Sequence, residues 1–196
     1  MLKHQRQFWD MPNRIVLLIG GYGSGKTYIG ALKSLYMSYL NSPVPGMYIS
    51  PSHQLATKTI IVTLKELCER AEIDYTYNQQ RSEFTFHNWG GTIWLGSGDK
   101  PDSLRGPNIG WAVIDEPFIQ KREVFEQMIA RVRHPEAKKS QIFLTGTPEQ
   151  LNWGFTLAND PKLDLGTIQA STLDNPHLPD DYKESLLQAY SEEQID

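Results

Sequence analysis

The chain has 196 residues, 39% of them hydrophobic and 21% charged, with a net charge of −4. That size suits one α/β domain with a sizeable core, and the acidic balance excludes whole-molecule attraction to nucleic acid, so DNA contact must come from a local patch or from other chains. Cys68 is the single cysteine, which excludes an internal disulfide and a cysteine-built zinc site and fits a reducing, cytosolic setting; no apolar run approaches a membrane span, and the polar start Lys3-His4-Gln5-Arg6-Gln7 is not a secretion signal.

In chain order, residues 1–11 are expected to form a short helix ended by Pro12. Ile15-Val16-Leu17-Leu18-Ile19 is continuously apolar, the pattern of a buried parallel strand. It opens into Gly20-Gly21-Tyr22-Gly23-Ser24-Gly25-Lys26-Thr27, a complete Gly-x-x-x-x-Gly-Lys-Thr phosphate loop. Tyr28, Ile29, Ala31, Leu32, Leu35 and Met37 then recur at helical spacing to about Leu40. Strand, glycine-rich loop and helix is the order that phosphate binding needs. Backbone N–H groups of the loop can wrap a β-phosphate at the positive end of the helix dipole. Lys26 would reach the β- and γ-phosphates, and the Thr27 hydroxyl would ligate Mg²⁺.

Asn41-Ser42-Pro43-Val44-Pro45-Gly46 breaks the chain, and Met47-Tyr48-Ile49-Ser50 reads as a second short strand. A long helix is expected from about His53 to Ala71, with Leu55, Ile60, Leu64, Leu67 and Ala71 on its apolar face and Cys68 packed on the same stripe. Residues 74–96 alternate in the manner of strands, with Asn88-Trp89-Gly90-Gly91 as a hairpin turn. A loop at 97–109, a strand at 110–114, a helix around 121–132, a strand at 141–145, a loop at 146–152 and a strand near 166–170 follow. Leu178, Leu186, Leu187 and Tyr190 give the tail enough apolar surface for a small helix. Alternating strands and helices predict a mostly parallel sheet covered on both faces, with 74–96 as an antiparallel insertion or edge.

Trp111-Ala112-Val113-Ile114 ends in Asp115-Glu116. Ligands of open α/β sheets sit at the carboxyl ends of strands, so Asp115 would hold the Mg²⁺ shell and Glu116 could polarise a water for in-line attack on a γ-phosphate. A base on the same chain implies hydrolysis, whereas a kinase would need an acceptor pocket and an arginine-bearing lid; no Arg follows Thr147. In Leu144-Thr145-Gly146-Thr147-Pro148, a hydroxyl at the strand end is placed either to sense the γ-phosphate or simply to end the strand.

These pieces stand in a recognisable order. Gln5, the phosphate loop, Ser50-Pro51-Ser52-His53-Gln54, Asp102-Ser103-Leu104-Arg105-Gly106, the acid pair, Leu144 to Pro148, Leu151-Asn152-Trp153 and Asp174-Asn175-Pro176-His177-Leu178 resemble the ATPase domain of the large terminase subunit of tailed bacteriophages. The resemblance covers about Gln5 to Leu178, and Leu-Arg-Gly and Asp-Asn-Pro are its more particular marks. It implies an α/β P-loop NTPase of the type with a catalytic Glu after the acid of its second motif strand, a mostly parallel central sheet flanked by helices, and a small antiparallel insertion. It also implies Mg²⁺-dependent ATP hydrolysis that threads double-stranded DNA into a procapsid, in a ring of copies, with the portal and the small terminase subunit as partners in the host cytoplasm. Gln5 inherits the adenine contact, with Gln7 as a competitor. Thr147 inherits the coupling of hydrolysis to motion, and Arg105 that of an arginine finger acting on a neighbouring copy. The competing reading of Arg105 is a loop arginine paired with Asp99 or Asp102.

Two departures matter. Relatives often carry an Arg within the phosphate loop where Tyr22 or Gly23 stands, and full-length large terminases continue into a nuclease domain. Residues 1–172 are therefore expected to form the ATPase domain, and 173–196 a tail or the start of a linker toward an absent nuclease, with no DNA cleavage from this polypeptide. The alternatives in other classes are a nucleotide-gated DNA-binding or assembly module with little intrinsic hydrolysis, and a small-molecule kinase. Arg131, Arg133, Lys138 and Lys139 form the one local basic cluster, read as a solvated helix end with a DNA or partner contact as the alternative. The five histidines have no ligand spacing, and Trp89, Trp94 and Trp111 fall in strand patterns that make them core.

Overall fold

The structure, a computed structural model, describes residues 1–106, 108–147 and 153–189. Helix α1 (Lys3–Asp10) leads into β1 (Ile15–Gly20), α2 (Lys26–Asn41) and β2 (Gly46–Ser50). Helices α3 (His53–Lys58) and α4 (Ile60–Arg70) come next, followed by β3 (Tyr75–Asn78), β4 (Glu83–Phe86) and β5 (Gly91–Ser97). The remainder is β6 (Trp111–Asp115), α5 (Arg122–Arg131), β7 (Gln141–Gly146), α6 (Trp153–Ala158), β8 (Leu165–Ala170) and α7 (Asp180–Ala189).

Among the described residues the strands form one eight-stranded sheet in the order β3-β4-β5-β2-β6-β7-β1-β8. From β5 to β8 every neighbouring pair is parallel, while β3 and β4 pair antiparallel at one edge. The predicted antiparallel stretch is thus an extension of the main sheet. Its last strand, β5, turns at Gly90 (φ 72°) and then runs alongside β2.

Strand side chains alternate between two cores, as the two-residue period requires. Val16, Leu18, Tyr48, Trp111, Val113 and Phe143 pack with α1, α2 and α4. Ile15, Leu17, Met47, Ile49, Ile114 and Leu144 pack on the other face, under α5 and α6. Both faces of these strands are covered, which is why β1, β2, β6 and β7 read as nearly unbroken apolar runs. Trp111 and Cys68 are fully buried, as their spacing predicted.

Two elements differ from the sequence pattern. The long helix expected over 53–71 is two helices, broken at Thr59 (φ −121°, ψ −86°). The Thr57 and Thr59 hydroxyls turn back onto the carbonyls of Gln54 and Leu55, and the β-branched run Ile60-Ile61-Val62-Thr63 restarts the helix. The short helix α6 was not anticipated; the loop expected at 146–152 ends on residues 148–152, which lie outside the described residues, as does Tyr190.

Because β1, β6 and β7 are parallel, Gly20, Asp115 and Gly146 end on one crest of the sheet. Strand β7 lies between the phosphate-loop strand and the acid-pair strand. That spacing leaves room between loop and acids for a phosphate chain, with β7 supplying the floor.

Candidate active site

The phosphate loop turns on two glycines with left-handed backbones, Gly23 (φ 76°) and Gly25 (φ 84°), conformations that side chains disfavour. Gly25 is the N-cap of α2 and offers no side-chain cap, so the first amides of a 16-residue helix remain for a ligand. Lys26 is buried, and its Nζ donates to the carbonyls of Gly20 (2.7 Å) and Gly21 (2.8 Å). The Ser24 hydroxyl closes the turn on the Gly21 carbonyl at 2.8 Å.

Three successive loop carbonyls are held from outside by distant side chains. Asn175 Nδ2 donates to the Gly23 carbonyl (2.7 Å), His4 Nε2 lies 2.9 Å from the Ser24 carbonyl, and Gln5 Nε2 donates to the Gly25 carbonyl (3.3 Å). A planar trans peptide sends the next N–H the opposite way. Fixing those carbonyls outward therefore turns the amides of Gly25 and Lys26 inward, while the Ser24 amide bonds the Gly21 carbonyl at 3.3 Å.

Across the crest, both oxygens of Glu116 are taken by one residue. Thr147 donates its backbone N–H to Oε2 (2.9 Å) and its hydroxyl to Oε1 (3.1 Å). Glu116 itself has a left-handed backbone (φ 47°, ψ 56°), a strained conformation for a residue with a Cβ and one that concentrates at functional sites. Asp115 accepts from the Thr145 hydroxyl at 2.9 Å, and its other oxygen lies 3.5 Å from the Thr27 hydroxyl. Burial pushes the Asp115 carboxyl up to about 6, and the adjacent Glu116 charge adds to the rise, against the Thr145 hydrogen bond.

Thr27 and Asp115 present hard oxygen donors side by side, the Tyr48 hydroxyl faces the Asp115 carboxylate, and the buried Ser50 hydroxyl at the end of β2 has no hydrogen-bond partner among the described residues. That all-oxygen, under-satisfied corner fits Mg²⁺. No cluster of three acidic, His or Cys ligands occurs among the described residues, so such an ion would be held mainly through nucleotide phosphates and water.

Beside the loop, a cleft of about 440 Å³ is lined by Leu2, Gln5, Gly25, Tyr28, Arg70 and His177, a volume that suits a nucleoside. Gln5 is buried there whereas Gln7 is exposed, which favours Gln5 of the two candidates. Gln5 Oε1 also accepts from the Leu2 amide at 2.9 Å.

Arg105 lies on the same carboxyl-end side of the sheet but away from the phosphate loop. It ends the turn Pro101–Leu104 after β5, and β5 is four strand spacings from β1, roughly 19 Å. Its guanidinium pairs with Asp102 (3.1 Å) and Glu123 (3.0 Å), with 55% of the side chain exposed. The basic cluster lies at the opposite edge, where Arg133 bonds Asn108 and the Lys139 amide bonds Asn41 beside the starts of β6 and β7.

The family described as "Terminase large subunit, T4likevirus-type, N-terminal" matches residues 17–196. The chain belongs to that family. It is 30% identical to the PBSX phage terminase large subunit of Bacillus subtilis (strain 168) over 141 residues, 70% of this chain and 32% of that protein. The large terminase of a thermophilic bacteriophage has the same fold, with a TM-score of 0.82 at 15% identity over 97% of this chain and 50% of its own; its complex with ATP-gamma-S gives 0.81. The large terminase ATPase domain of Thermus phage P74-26 matches at 0.69 and 15% identity, over 97% of this chain and 89% of its own. This terminase chain therefore spans about a third to a half of the first two relatives.

Within the terminase frame, the structure gathers Lys26, Thr27, Asp115, Glu116 and Thr147 on one crest, sets Gln5 against the loop, and leaves Arg105 on the flank. Sequence reasoning missed His4, Thr145 as the partner of Asp115, and Gln120, whose Nε2 donates to the Asp115 carbonyl at 2.7 Å. It noticed Asp-Asn-Pro without giving Asn175 its place at Gly23.

Proposed function

We propose that this chain is the motor portion of a large terminase: it hydrolyses ATP with Mg²⁺ and uses the energy to drive double-stranded viral DNA into a procapsid. The observation that carries this reading is the Glu116 carboxylate held by Thr147, across the crest from a complete phosphate loop. The loop amides and Lys26 would bind the β- and γ-phosphates, and Glu116 would take the proton of the attacking water. Thr27 and Asp115 would hold the cation, which supplies neutralising charge to the phosphates. Gln5 and the adjoining cleft would take the base.

Each oxygen of Glu116 accepts one hydrogen bond from Thr147 and keeps a further lone pair for water, so the direction in which the base meets water is set by Thr147. This makes Thr147 the joint between chemistry and movement. Arg105 would complete a neighbouring copy's site in a ring; its exposed pairs with Asp102 and Glu123 are each worth no more than about 1 kcal/mol and break readily. Portal and small subunit would be its partners at the procapsid vertex in the host cytoplasm, with residues 1–172 as the ATPase domain and residues 173–196 as a tail or the start of a linker.

The test is ATPase rate against protein concentration, with and without double-stranded DNA. A rate per copy that rises with concentration and with DNA is the expected result. Absence of hydrolysis under every condition would leave only a nucleotide-binding module.

A further inference from the structure

Gln120 lies just past the turn Pro117–Ile119 that follows the acid pair, and it is only 8% exposed. Its amide faces two ways. Nε2 donates to the Asp115 main-chain carbonyl at 2.7 Å, and since that carbonyl can only accept, the amide orientation is fixed. Oε1 is buried without a hydrogen-bond partner among the described residues and is pressed against Gly98, where a Cβ would lie 1.8 Å from it. Gly98 opens the loop that carries Arg105, and its amide is anchored on the Ser50 carbonyl at 2.9 Å. On the far side, the Gln120 carbonyl accepts from Trp153 Nε1 at 3.1 Å, and Trp153 packs edge-on against Phe118 of the same turn. A buried polar oxygen with nothing to bond is a cost that an apolar residue would avoid, and the bond at the amide's other end, to the Asp115 carbonyl, offsets it.

We infer that Gln120 is a positioning residue that locks the Asp115-Glu116 turn to the Arg105 loop, so that the setting of the acid pair in one copy governs how that copy presents Arg105 to its neighbour. This rests on the proposed ATPase reading for its consequence, though not for the lock itself. The bare α-carbon of Gly98 is the space into which the amide fits. A methyl there displaces Gln120 from Asp115 without touching any residue that meets nucleotide.

The experiment is a double-mutant cycle of Gly98→Ala, Gln120→Ala and the pair, read by steady-state ATPase, nucleotide affinity and hydrogen–deuterium exchange. Each single change is expected to lower kcat by about tenfold or more while nucleotide Kd stays within about twofold. The pair should be no worse than Gln120→Ala alone, because the methyl then has nothing to displace. Exchange should rise in residues 115–121 of Gly98→Ala and be unchanged in α2, a pattern that general loosening would not give. A Gly98→Ala protein that is insoluble alone and soluble with Gln120→Ala supports the lock equally. Losses that multiply in the pair, or exchange at 115–121 unmoved by Gly98→Ala, overturn it. If the parent chain hydrolyses no ATP, the motor reading falls, and the exchange cycle still decides the lock.

Discussion

Thr147 spends both of its donors on Glu116, its amide on one carboxylate oxygen and its hydroxyl on the other. A carboxylate so held is oriented, with a lone pair on each oxygen still open to water. Glu116→Gln should keep ATP affinity within about twofold while kcat falls by about 10² or more, the usual worth of a positioned base. Single-turnover hydrolysis beside nucleotide titration checks this, and undiminished turnover would remove Glu116 from the role.

Thr147→Val keeps the shape and the backbone donor and deletes the hydroxyl. Glu116 is then held by one hydrogen bond instead of two, so hydrolysis without DNA should persist or rise while its stimulation by DNA shrinks. The ratio of rates with and without DNA is the measurement. An unchanged ratio would detach Thr147 from coupling.

Arg105→Ala should leave nucleotide binding by single copies untouched, since the guanidinium pairs with Asp102 and Glu123 on a loop after β5, a strand four spacings, roughly 19 Å, from β1. Activity that grows with protein concentration should fall by about 10³, the lower end for a trans-acting arginine. Mixing Arg105→Ala with Glu116→Gln should restore part of the rate, because mixed neighbours recombine an intact base with an intact finger.

Asp115 gives a stability prediction with a definite sign. Its carboxyl is raised by burial from 3.8 to about 6, so the folded chain holds that proton more tightly than the unfolded one. The stability linked to it is present at low pH and is lost as pH rises through about 6, by at most about 3 kcal/mol. In EDTA and without nucleotide, Asp115→Asn should therefore melt higher than the parent at pH 8, with the gain narrowing as pH falls towards 4. Thermal melts across that range decide it, and the same variant should lose Mg²⁺-dependent hydrolysis.

Much of the crest was legible because it is written locally. Glycines at fixed offsets, an apolar run before them and a helical period after them specify the loop, and two acids at a strand end specify the opposite wall. Continuous apolar runs, the mark of strands buried on both faces, revealed the sheet. What the sequence hid is contact between residues far apart in the chain: Asn175 reaches Gly23 across 152 positions, and His4 reaches Ser24 across 20. Gln120 looks like an ordinary polar residue after a turn, and only its burial against Gly98 gives it meaning. The break at Thr59 escaped because the apolar stripe continues through it; side-chain competition for carbonyls decides it, and periodicity is blind to that.

The phosphate loop is clasped from both sides in sequence, by His4 and Gln5 ahead of β1 and by Asn175 after β8. Part of the ordering entropy of nucleotide capture is thereby met during folding, before any phosphate arrives. The same clasp works in reverse: a tug on the segment around Asn175 is a tug on Gly23, so mechanical load beyond residue 175 would be felt where the nucleotide is gripped.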